Sequence, residues 1–194
     1  MANQDAAYGL RPSRKLGGGV VVTNAYSIAD GYATSIFSGD IVELTGTGNN
    51  IQIAAAGGAG DTKAIGVFAG CNFIDAEGNV QFKPYWPAST SIATGTKVEA
   101  LVYDDPDIIF RAQADAIAEA AIGALADWVV GSGNVVTGKS TSEVEGSATA
   151  TTGKSLKLLR LLPEVGNEYG NHGQVEVLFA EHAMKGIVTG AGGT

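Results

Sequence analysis

A single cysteine, Cys71, excludes an intramolecular disulfide. Its setting, "AIGVFAGCNF", predicts a small buried side chain in place of a reactive thiolate. Five prolines against 28 glycines leave no room for a Pro-rich disordered tract, and no collagen-like period appears. The glycines predict many tight turns and bulges. No run approaches the roughly 18 apolar residues that span a bilayer, and "MANQDAAYGLRP" lacks the apolar core of a secretion signal. We therefore expect no membrane partner, and synthesis in a reducing cytosol. Charged residues are scarce at 16%, so the surface must be largely Gly, Ser, Thr, Ala and Asn, a texture suited to lying against another protein. The formal net charge of −8 repels a phosphate backbone, which argues against a nucleic-acid partner.

What is present is unevenly distributed. Residues 1–19 show neither helical nor strand period, end in three glycines, and hold Arg11, Arg14 and Lys15 against Asp5 alone. With Tyr8 and Leu10 as anchors, they read as an extended arm that orders on a partner. Residues 20–186 read as one β-rich body, with 110–186 as a possible second subregion, and 187–194 as a flexible tail. Short β-rich pieces recur between turn signals about every ten residues, the pattern of a small antiparallel β-barrel or sandwich. "FIDAEGNVQF" predicts a hairpin with its tip at Glu77, Gly78 and Asn79. In "ADAIAEAAIGALADWVV", Ile117, Ala121 and Leu125 recur every four residues behind Asp115, predicting one short helix over Asp115 to Ile122. A long Gly/Thr-rich loop follows, expected as a surface excursion, and then two clear strands, "SLKLLRLLPEV" and "QVEVLFAEH".

One stretch, "GNVVTGKS" from Gly133 to Ser140, fits the phosphate-loop pattern G-x-x-x-x-G-K-[ST]. That loop works between a buried strand and a helix whose N-terminus holds the phosphates. Here "STSEVEGSATATTG" follows, β-branched and glycine-broken with no apolar stripe, so the motif lacks its helix and nucleotide hydrolysis is not expected. Asp104, Asp105 and Asp107 offer oxygen ligands without a Gly-centred loop to complete a calcium cage. His172 and His182 lack companion ligands, and no nucleophile elbow or Cys–His pair is present. The sequence thus predicts no enzyme and no cofactor. Tyr85 and Trp86 in "KPYWP" form a half-buried strand corner or, alternatively, a secondary contact for a sugar or peptide.

The run "SGDIVELTGTGNNIQIAAAGGAGDTKAIGVFAG", Ser38 to Gly70, resembles the capsid decoration (cement) proteins of tailed bacteriophages. The residues that carry the likeness are Gly39, Asp40 and Val42 in a Gly-Asp-x-Val strand, and Ile65, Gly66 and Val67 in an x-I-G-V strand. "ANQDAAYGLRP", "YDDPDIIFRAQAD" and "RLLPEVGNEYG" with "VEVLFAEH" are also similar to structural proteins of marine tailed phages. The resemblance implies a virion protein on the capsid exterior, self-associated as a homotrimer. It would bridge major capsid protein subunits against internal DNA pressure. It also implies that the N-terminal arm makes the contact, which points to Tyr8, Leu10, Arg11, Pro12, Arg14 and Lys15, and that removing residues 2–16 leaves the body folded. The alternative is a head spike or tail protein recognising host glycans.

Overall fold

A computed structural model describes residues 3–55 and 64–185. The chain starts with β1 (Arg11–Lys15) and β2 (Asn24–Tyr26), then β3 (Ile36–Phe37), β4 (Ile41–Leu44) and β5 (Ile51–Ile53). The long β6 (Ala64–Ile74) turns back as β7 (Val80–Lys83), followed by β8 (Tyr85–Trp86), β9 (Glu99–Tyr103), β10 (Ile108–Gln113) and β11 (Ala116–Ile117). The last third holds β12 (Leu125–Ala126), β13 (Trp128–Val129), β14 (Glu143–Val144), β15 (Leu156–Leu161), β16 (Gly170–Asn171) and β17 (Gln174–Phe179). The tail expected over 187–194 lies outside the described residues.

Two antiparallel sheets carry the fold. A six-stranded sheet runs β2-β9-β6-β4-β5, with β7 pairing the far half of β6, and a five-stranded sheet runs β1-β10-β17-β15-β12. Neighbouring residues of the central strands serve different cores, because successive side chains point to opposite faces, and the register shift against β4 between Ala64 and Gly66 resets the alternation between Ile65 and Val67. Ile41 and Val67 join Ile108, Phe110, Val175, Val177 and Phe179 of the five-stranded sheet. Val42, Ile65 and Phe68 join Ile28, Ile36, Phe73, Trp86 and Val98 on the other side. Burial on both faces explains why "AIGVF" is apolar without alternation. The mainly β expectation holds, in a sandwich-like form; neither sheet closes into a barrel among the described residues.

The hairpin at residues 75–79 forms as read. The Gly78 N–H bonds to the Asp75 carbonyl at 3.0 Å, and Gly78 takes φ +88°, the left-handed geometry that closes a three-residue loop.

Three expectations fail. The helix over Asp115 to Ile122 is absent: Ala116 and Ile117 pair with Asn171 and Gly170, and only a 3-10 turn, Glu119–Ala121, remains. Asp115 does not cap a helix. Its carboxylate accepts the N–H groups of Ala116 and Ser147 and the Ser147 hydroxyl, tying this stretch to a distant loop. Nor is 131–155 a simple surface excursion, because Ser140, Ser142, Val144 and Ser155 are buried within it.

The third correction concerns the arm. Residues 3–15 lie along their own chain, with β1 as the edge strand of the five-stranded sheet and Leu10 in its core. Backbone bonds from Gly9 to Ser142 and from Leu10 to Gly39 fasten the approach to β1, and Asn3 reaches the carbonyls of Glu168 and Asn171. Both aromatic and aliphatic residues of this stretch are held by the chain itself, Leu10 within the core and Tyr8 against Arg11 and Gln174.

Candidate functional site: a cationic sheet face

The register of the five-stranded sheet gathers the cations of an acidic chain. Arg11 lies opposite Arg111, Arg111 opposite Glu176, and Glu176 opposite Arg160, so one row crosses four strands as Arg, Arg, Glu, Arg. The next row on that face is Arg14, Ile109, Leu178 and Lys157. Phe110 and Val177, the intervening residues, point into the core. Five cations therefore share one face, and among the described residues Glu176 and Glu164 are the acids that pair with them.

Glu176 lies beneath this layer, its side chain 3% exposed. It accepts hydrogen bonds from Arg14 Nη2 at 2.9 Å and from Arg160 Nε at 2.8 Å. Arg160 lowers the Glu176 pKa most, burial works against it, and Arg14 adds to the lowering. The two guanidiniums are thereby held in fixed positions, each still about half exposed. Arg111 pairs with Glu164 at the surface. The Arg11 guanidinium stacks 4.4 Å from the centre of the Tyr8 ring, a cation–π contact. The Tyr8 hydroxyl donates to Gln174, and burial raises its pKa. A shallow pocket opens between Tyr8, Arg11, Arg111, Leu162, Glu164 and Gln174.

Of the residues singled out from the sequence, Tyr8, Arg11 and Arg14 come together on this face. Lys15 pairs with Asp105 to one side, Pro12 sits half-buried opposite Phe110, and Leu10 is enclosed and touches no outside surface. Arg111, Lys157 and Arg160 were missed. Their signal was cations within apolar strands, Arg111 in "IIFRAQ" and Lys157 and Arg160 in "LKLLRL"; strict alternation would send the last two to opposite faces, and they share one only because the register shifts between Leu158 and Arg160.

The remaining candidates serve the fold. Trp86 is fully buried, edge-on to Phe73 at 5.2 Å, and Tyr85 stacks on Phe37 at 5.3 Å, so Trp86 offers no platform for a sugar. Asp104 takes Asn24 and Tyr26, Asp105 takes Lys15, and Asp107 takes Lys185. Among the described residues no cluster of three metal-ligating side chains forms. Cys71 is buried, which pushes its thiol up to about 12.

In the phosphate-loop match, Asn134 Oδ1 accepts the N–H groups of Val136 and Thr137, making a side-chain-closed turn. Gly133 takes φ +68°, and a Cβ there would fall 2.1 Å from the Phe37 ring. Ser140 is buried and donates to Asp40, and Ser142 donates to the same oxygen at 2.9 Å. β14, not a helix, follows. The glycine and the serine of the motif are thus set by packing against Phe37 and Asp40. Comparison with known proteins finds no matching family model, no matching curated protein and no matching solved structure.

Proposed function

We propose that this chain is a non-enzymatic structural protein of a tailed-phage virion. It binds the capsid exterior and stabilises the shell by bridging major capsid protein subunits, as a homotrimer in keeping with the resemblance carried by Ser38 to Gly70. The observation that carries the reading is the cationic sheet face. A chain of net charge −8 has little reason to gather five of its twelve Lys and Arg residues on one sheet surface unless that surface meets an acidic partner. Glu176 fixes Arg14 and Arg160 in place, so less side-chain entropy is lost on contact. Many such contacts on a lattice hold through avidity even when each is weak. The mode of attachment differs from the inserted arm: a flat basic face docks while β1 stays in its own sheet.

The test is co-sedimentation of the full chain with undecorated shells, comparing the native protein with Arg11→Glu combined with Arg111→Glu. Both side chains reach the surface, so the variant should stay folded with a melting temperature lowered by no more than a few degrees, the cost of placing a carboxylate at position 111 near Glu164 and Glu176. Shell occupancy should fall at least tenfold and the native interaction should weaken as salt rises. Full occupancy by the doubly reversed protein overturns the reading.

A further inference from the structure

The edge strand β7 is open in three respects. The bond from Asp75 N–H to the Asn79 carbonyl makes 75 and 79 a hydrogen-bonded pair, so Gln81 and Lys83, two and four residues on, direct their backbone groups to β6. Val80 and Phe82 turn theirs away from the sheet. Their side chains are also bare, 79% and 71% exposed, beside the half-buried Ile74. Lys83 makes no ion pair with a described residue, while Asp75 and Glu77 put two acids at the hairpin tip.

Native sheets blunt such edges with prolines, bulges and charges. β1, the edge of the other sheet, has all three: Pro12, a register shift between Pro12 and Arg14, and three cations. β7 has only Lys83 at its end.

We propose that β7 pairs with β7 of a second copy of this chain, antiparallel about a two-fold axis through Gln81. Only a strand whose pattern complements its own reversal satisfies all three features at once, and "VQFK" does. Placing Val80 opposite the partner copy's Phe82, and the reverse, engages all four outward N–H groups with all four outward carbonyls. The same register stacks both valines and both phenylalanines into one apolar strip across the axis. It also lays Lys83 of each copy toward the acidic tip, Asp75 and Glu77, of the other. The result is a continuous sheet, β6 and β7 of one copy followed by β7 and β6 of the next, with an isologous contact. This pairing uses a different sheet from the cationic face and is independent of capsid binding. Where copies also gather in threes, it links those groups in pairs.

The experiment measures the mass of the full chain in solution, without shells, by sedimentation equilibrium. The native protein should be a dimer or a larger even multiple. Val80→Pro and Phe82→Pro each remove an outward N–H without touching a bond to β6, so each should halve the mass with circular dichroism unchanged. As a second readout, Gln81→Cys sits on the two-fold axis in a non-hydrogen-bonded pair and should form an intermolecular disulfide on mild oxidation, whereas the exposed Glu99→Cys should not. A native monomer, a mass unaltered by either proline, or failure of Gln81→Cys to cross-link overturns the proposal.

Discussion

His182 stands at a strand end with no companion ligands in the sequence, and its surroundings make it a core residue. It is 2% exposed, meets the Phe179 ring edge-on at 5.3 Å, and its Nδ1 accepts the Met184 N–H at 3.1 Å. Burial pushes its pKa down to about 4, Lys185 adds to the lowering, and Asp104, the Ile65 backbone and Asp105 oppose it. The sign follows directly: protons bind the unfolded imidazole, near 6.5, more readily than the folded one, so stability is complete above that value and is lost as pH falls toward about 4. Urea unfolding at pH 7 and pH 5 should differ by about 2 kcal/mol on this account, and His182→Gln should remove most of the difference. Unchanged pH dependence in that variant would show that another group is responsible. Cys71 was legible because a small apolar neighbourhood predicts burial locally. His182 was not, because Phe179 sits three residues away in sequence while Ile65 and Asp104 arrive from the other sheet.

At the scale of elements, the stretch after Trp128 is a clasp. Asp40, 1% exposed, accepts the Phe37 N–H at 2.8 Å and the hydroxyls of Ser140 and Ser142, which are a hundred residues away in sequence. Burial raises the Asp40 pKa, and those three donors hold it back. Removing both hydroxyls by Ser140→Ala with Ser142→Ala leaves a buried carboxylate with one donor and should cost roughly 2–4 kcal/mol in chemical denaturation. Lys139→Ala, at an exposed position, should change stability by less than about 0.5 kcal/mol. Equal effects would refute the clasp. The 75–79 hairpin was readable because its turn demands a left-handed residue and Gly78 supplies it within five residues of sequence. The helix was misread for the opposite reason. Alanines every four residues favour a helix only weakly, and the bonds from Asp115 to Ser147 and from Ile117 to Gly170 outweigh that preference through partners invisible to a local window.

For the whole molecule, β1 decides how the N-terminus behaves. Deleting residues 2–16 removes an edge strand and Leu10, which is 1% exposed, so the truncated chain should be destabilised by at least about 3 kcal/mol and lower its melting temperature measurably. A truncated protein with the native melting temperature would restore the free-arm picture. The candidate site was half legible in the same sense. Arg11 and Arg14 stood out as cations in an acidic chain, but their neighbours Arg111 and Arg160 lie about a hundred residues or more away and meet them only through strand register. That separation also sets an order of events during translation. All strands of the six-stranded sheet lie within residues 24–103 and emerge from the ribosome together. β1 emerges before any of them, and its partner at residues 108–113 emerges after all of them, so the first strand made is among the last to be seated.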